Sequence, residues 1–213
     1  MSYILGDGIK ALKKMRAKSI DGIFSDPPWG GAVPIMGNEH PMELMKSLDD
    51  ECPRILKPGG RVLLWVGARQ IGDFIRVFKN LEYRWLILCR YVPARYIIRF
   101  QSQFDPILYL ALPGEPYPYP EKSLPQCYLK VSTGKKDSDH PCARPAEVVQ
   151  SILRDWFKPG ETIVDPFAGS DTTGYACRQI GLKCRSYELD PQMFITGLAR
   201  NSQELLFEKK KGG

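Results

Sequence analysis

Early in the chain stands Asp21-Gly22-Ile23-Phe24-Ser25-Asp26-Pro27-Pro28-Trp29. Its first half is a short apolar run that fits a buried strand. Its second half puts a carboxylate, two prolines and an aromatic at that strand's end. Such an end suits an amine held for reaction. The Asp26 carboxylate accepts one hydrogen bond from the amine, and the Pro27 carbonyl accepts a second. Pro28 restricts Pro27 to an extended conformation, and both rings fix φ, so the carbonyl is aimed before a ligand arrives. Trp29 offers a flat face on which a planar base stacks. The same residues alone also describe a strand that ends in a Pro-Pro turn with a core tryptophan, because Asp and Pro are ordinary turn residues.

Far downstream lies Asp165-Pro166-Phe167-Ala168-Gly169-Ser170-Asp171-Thr172-Thr173-Gly174, between a strand at Thr162 to Asp165 and a helix from Thr172 to Ile180. Small residues there let backbone approach a ligand, and the helix N-terminus attracts an anionic group. Glu188 ends the next strand, Lys183 to Glu188, about twenty residues beyond Gly169, where a nucleoside site carries an acid for ribose hydroxyls. No complete Gly-x-Gly-x-x-Gly occurs, which disfavours NAD. An ordinary capped strand-turn-helix is the alternative.

Working outward, strands and helices alternate. Tyr3 to Leu5 is a short strand closed by Gly6-Asp7-Gly8, and Ile9, Leu12 and Met15 recur at helical spacing. Residues 40–56 fit a helix that Pro53 kinks or shortens. Lys57-Pro58-Gly59-Gly60 stops it before the apolar strand Arg61 to Val66. A helix over 70–79 and strands at Trp85 to Cys89 and Ile107 to Ala111 follow. Residues 112–139 break the alternation with five prolines and read as a loop or small insertion. Pro145 opens a helix whose Val148, Val149, Ile152, Leu153, Trp156 and Phe157 share one face. A last helix runs from Pro191 to about Phe207. The alternation predicts a single α/β domain over 1–207, doubly wound and Rossmann-like, on a mostly parallel sheet of seven strands. Residues 208–213, with Lys209-Lys210-Lys211, read as a disordered tail.

A length of 213 residues suits one core, and 25% charged residues suit a soluble protein. No apolar run reaches the roughly 18 residues of a membrane span. The N-terminus lacks a signal-peptide pattern, which predicts a cytoplasmic protein. Six cysteines without a Cys-x-x-Cys pair, and two histidines, indicate neither a metal site nor a disulfide framework. A net charge of +6 is compatible with a polyanionic partner. Arg90, Arg95, Arg99, Lys122, Lys130, Lys135 and Lys136, with Tyr91, Tyr96 and Tyr117 between them, are candidates for phosphate contact, or an ordinary solvated surface.

Together these motifs resemble the amino-group DNA methyltransferases that use S-adenosylmethionine, in the beta arrangement, where the catalytic motif precedes the cofactor motif. Ser25 to Trp29 is similar to that catalytic motif. Arg54-Ile55-Leu56-Lys57-Pro58-Gly59-Gly60 and His140-Pro141-Cys142-Ala143-Arg144-Pro145 resemble two further family stretches, and Asp165 to Thr173 resembles the cofactor motif. The resemblance covers nearly the whole chain. It implies that the strand at 3–5 pairs beside the strand ending at Glu188. It makes Asp26, Pro27, Pro28 and Trp29 catalytic. It places Asp7, Gly8, Arg144, Asp165, Phe167, Ala168, Gly169, Ser170, Thr172 and Glu188 around the cofactor, with no metal. Arg144 replaces a Lys near the cofactor's carboxylate.

Asp171 replaces a Gly, either as a cap turned away from the ligand or as a charge that repels the cofactor carboxylate or pairs with Arg144. His140 fits a helix cap or the cofactor wall. By resemblance, Asp in the first and Trp in the fourth motif position favour adenine N6 of a flipped-out DNA base; RNA adenine, DNA cytosine N4 and a catalytically idle subunit are the alternatives. The short 112–139 segment leaves little room for target recognition, which implies a very short site or contacts from a second copy or a partner subunit.

Overall fold

The computed structural model describes residues 2–28, 41–97, 100–117, 124–131, 144–199 and 201. Trp29, Arg99, Lys122, Lys135, Lys136, His140 and the tail 208–213 lie outside these residues.

The strands are β1 (Ser2–Leu5), β2 (Ile20–Ser25), β3 (Leu56–Trp65), β4 (Glu82–Ile97), β5 (Phe100–Ala111), β6 (Cys127–Val131), β7 (Thr162–Asp165) and β8 (Lys183–Glu188). The helices are α1 (Gly8–Lys14), α2 (Pro41–Ile55), α3 (Ile71–Val77), α4 (Ala146–Trp156) and α5 (Thr172–Gln179), with α6 over 191–199. One sheet takes all eight strands in the order β1-β8-β7-β2-β3-β5-β4-β6. Only β5 runs against its neighbours. The first and last strands in sequence lie side by side, with Leu5 opposite Glu188, as the resemblance implied.

Alternation along each strand divides the core between two faces. Phe24, Leu63, Trp65, Tyr109, Ile163 and Cys184 pack with α4 and α5 on one face. Ile23, Val62, Leu64, Leu108 and Val164 pack with α1, α2 and α3 on the other. Gly22 of β2 is glycine for a steric reason: a Cβ there would fall on the Phe157 ring, which closes α4.

The sheet has one strand more than the seven expected. The addition is β6, inside the segment read as loop; it pairs parallel with β4 from Leu88↔Cys127 to Val92↔Val131. The expected strands at 85–89 and 107–111 are the inner parts of a longer hairpin, β4 and β5 pairing as far as Ile97↔Phe100. Lys57-Pro58-Gly59-Gly60 is a register break within β3, between Leu56 opposite Ile20 and Arg61 opposite Gly22. Pro53 does not end α2. It cannot donate to the Asp49 carbonyl, and Asn80 Nδ2 approaches that carbonyl at 3.5 Å instead. The Asp49 carboxylate meanwhile accepts the backbone N–H of Lys79, Asn80 and Leu81, which ties α2 to the start of β4.

Candidate active site

The β7–α5–β8 and β2–α2–β3 crossovers lead away from each other across the sheet. Between β7 and β2 the strand order therefore reverses, and ligands bind at the carboxyl ends of strands at such a point. Asp165 ends β7 and Asp26 follows β2.

Ser25, fully buried, joins the two motifs: its hydroxyl donates to Asp165 Oδ1 at 2.5 Å. The Phe167 N–H donates to the same oxygen at 3.1 Å, and the Thr173 side chain also bonds Asp165. Burial nonetheless pushes the Asp165 carboxyl up to about 7; the Ser25, Thr173 and Phe167 hydrogen bonds pull it down, and the Asp171 charge adds to the rise. The unfolded chain ionises near pH 3.9, so Asp165 holds a proton in the folded state that the unfolded state has lost. Its contribution is fully present below that value and is lost as pH rises through about 7. Asp165→Asn should therefore gain stability relative to wild type between pH 4 and 7, by at most about 1.4 kcal/mol per pH unit. Urea midpoints across that range test this; parallel profiles for the two proteins would show that Asp165 does not titrate there.

The loop after Asp165 is held from three sides. Ala168 N–H donates to the Tyr187 carbonyl at 2.9 Å, Gly169 N–H to Glu188 Oε2 at 2.7 Å, and the Tyr3 hydroxyl to the Gly169 carbonyl at 2.5 Å. Glu188 Oε1 takes the Asp190 N–H at 2.8 Å. Burial raises the Glu188 carboxyl, and burial with the nearby Glu188, Asp171 and Asp165 charges raises the Tyr3 phenol. Gly169 has φ +53 with open space where a Cβ would stand, so the loop leaves a cradle beside the Glu188 carboxylate. Across it, the Asp7 side chain accepts the Lys10 N–H at 3.0 Å as the α1 cap. Gly8 meets the Pro166 carbonyl so closely that a Cβ would collide with it. Asp7, Gly8, Asp165, Phe167, Ala168, Gly169, Ser170, Thr172 and Glu188 thus share one edge of the sheet.

Arg144 meets the catalytic motif directly. Its Nε and Nη2 donate to the two Asp26 oxygens at 2.7 and 3.3 Å, and its Nη1 donates to Asp105 on β5. The guanidinium lies over the Trp65 ring, 4.3 Å from its centre. Arg144 therefore orients Asp26 from the α4 side, while Asp105 and Trp65 orient Arg144.

Asp171 follows the first of its two readings in being turned away, though without a cap hydrogen bond. Its carboxylate is wholly buried and points away from the cradle, accepting Ser186 Oγ at 2.5 Å, Asn201 Nδ2 at 2.8 Å and Arg178 Nη1 at 3.3 Å. It neither pairs with Arg144 nor makes a side-chain cap.

Ser25, Tyr3, Trp65 and Asp105 went unassigned in the sequence. Ser25 alone had a usable signal, a hydroxyl at the buried end of a strand facing the neighbouring motif.

Similarity to known proteins agrees with this geometry. Over 99% of the chain and 88% of its own length, DNA adenine methyltransferase YhdJ of Escherichia coli is 25% identical. The M1.HpyAVI complex with SAM superposes with TM-score 0.72 at 20% identity, covering 93% of this chain and 98% of that one. The cytosine-N4-specific PvuII DNA methyltransferase superposes with TM-score 0.74 at 16% identity, covering 93% and 85%. The DNA methylase family N6_N4_Mtase matches residues 20–196, and the chain belongs to that family.

Proposed function

We propose that the chain methylates adenine N6 in DNA, using S-adenosylmethionine. The carrying observation is the Ser25–Asp165 bond, which locks Asp26-Pro27-Pro28 against the cradle at the sheet's switch point. The residues of the cradle suit the cofactor. Asp7 and Glu188 offer carboxylates fit for an ammonium and ribose hydroxyls, buried Asp165 backs the loop, and Gly169 leaves the space. When bound, the cofactor supplies an activated methyl group. Glu188 holds the ribose through the lone pairs that Gly169 and Asp190 leave free. Asp7, Gly8 and the Phe167 to Thr172 loop form the walls.

The adenine N6 lone pair is delocalised into the ring and is a poor nucleophile. Asp26 and the Pro27 carbonyl accept its two N–H bonds, which favours a pyramidal nitrogen and aims the lone pair into the cradle. Arg144 fixes the Asp26 oxygens for this and yields one of them to the incoming amine while Asp105 retains its charge. Asp26 or water then takes the released proton. In duplex DNA the base must leave the stack, and Trp29 receives it. The short insertion leaves target reading to few contacts, supplemented by a second copy or a partner subunit.

Adenine is favoured by Asp at the first motif position. Labelled cofactor incubated with defined DNA and RNA duplexes, followed by digestion to nucleosides, tests the reading. N6-methyladenine from DNA is the expected product. N4-methylcytosine, or label in RNA alone, would overturn it.

A further inference from the structure

A second charged region lies away from this edge. A cavity of about 670 Å³ is lined by Lys14, Arg16, Lys18, Lys57 and Arg185, together with Ser19 and Tyr187. It lies beside the end of the seven-residue α1. On β8 its lining is Arg185, exposed, and Tyr187, half-buried against the core.

Ser19 directly precedes β2 and Lys57 lies at the start of β3, whereas Asp26 follows the far end of β2. Six residues of strand separate the two regions by roughly 20 Å. Most of the lining therefore lies toward the amino ends of the strands, away from Asp26, with Tyr187 reaching back beside Glu188.

Its electrostatics favour an anion. Asp21 pairs with Lys57 at 2.7 Å, and Lys14, Arg16, Lys18 and Arg185 form no ion pair with a described residue. The carbonyls that end α1 would oppose an anion, but Arg54 covers them: its guanidinium donates to the carbonyls of Leu12, Lys13 and Met15. Lys18 is held at φ 49, a conformation a lysine rarely adopts, with its N–H bonded to the Arg54 carbonyl at 2.9 Å. Four uncompensated cations, with a helix end already neutralised, form a phosphate-binding surface rather than an ion-paired face.

We propose that this cleft binds the sugar–phosphate backbone of DNA, as a contact separate from the catalytic edge. The inference rests on the reading of the chain as an enzyme that acts on DNA. A second track of this kind holds the protein on a duplex between reactions, or holds a second segment beside the first.

The test uses the full chain and the double variant Lys14→Gln/Arg185→Gln, both exposed positions outside the catalytic and cofactor groups. The probe is a labelled random-sequence duplex, titrated by anisotropy between 50 and 200 mM salt. Each phosphate contact contributes about 0.9 to the slope of log affinity against log salt, so the variant's slope should be shallower by about 2. Over that fourfold change in salt, wild type should lose about tenfold more affinity than the variant. Single-turnover methyl transfer at saturating DNA should be unchanged. An unchanged slope overturns the proposal. A shallower slope with an equal loss of transfer rate also overturns it, because the cleft would then belong to the catalytic track. Inorganic phosphate that binds wild type and not the variant, with the slope unchanged, would identify a free-phosphate site and overturn the proposal as well. If wild type transfers no methyl group to DNA while the slope falls as expected, the cleft stands and the proposed activity fails.

Discussion

Asp26→Ala is expected to lower single-turnover methyl transfer by about 10³-fold, the scale of losing one preorganised hydrogen-bonding group at a reacting centre. Cofactor affinity should stay within about threefold, because Asp26 reaches the cradle only through Ser25 and the Pro27 turn. The geometry sharpens the expectation. Asp26 presents two oxygens to Arg144, at 2.7 and 3.3 Å, so its orientation is set before an amine arrives. In the alanine variant Arg144 keeps Asp105, its guanidinium stays over Trp65, and the surroundings hold their arrangement. Calorimetric titration with cofactor, run beside rapid-quench transfer on the same preparations, separates the two quantities. Joint loss of binding and transfer in a folded protein would mean that Asp26 serves the cofactor and that the amine is held elsewhere.

Asp171→Ala is expected to cost about 3–5 kcal/mol of folding stability, the range for breaking a buried ion pair on one side. Its carboxylate gathers Ser186 from β8, Asn201, and Arg178 from α5, so deletion strands three donors at once. The backbone adds a second effect. Asp171 sits at φ 60, in the left-handed region, where a Cβ costs about 1–2 kcal/mol. Asp171→Gly loses the same donors and relieves that strain, so it should be the more stable of the two variants by about 1 kcal/mol. Urea unfolding of both proteins checks the absolute loss and its ordering. An alanine variant within about 1 kcal/mol of wild type would show that Arg178 and Asn201 find water in its place. Gly174 belongs to the same arrangement: a Cβ there would occupy the space of the Asp171 carboxylate.

The elements that pack on a core were legible in the sequence. Buried strands such as β2 and β3 show as apolar runs, and α4 shows as a stripe, because burial imposes those periods on composition. The outer parts of β4 and β5 show no such period in their sequence. β6 was hidden by the prolines around it, although its own five residues contain none. The cradle could be read because glycine and carboxylate positions follow from backbone geometry at a strand end. Arg144 could not, because its partners Asp26 and Asp105 lie 118 and 39 residues away, and which carboxylate a long side chain meets is decided by tertiary packing. Asp171 stayed between two readings for a related reason: a place at a helix start does not say which way the side chain turns.

The pairing of β1 with β8 has a consequence for biosynthesis. Leu5 leaves the ribosome roughly 180 residues before Glu188, its neighbour across the sheet. At about 5–20 residues per second, the interval between them is roughly 10–40 s. Until β8 is made, β1 and its side chains Ile4 and Leu5 remain without their partner strand. β1 is thus made long before the strand it docks on, and a chaperone that engages short apolar segments has that interval in which to bind it.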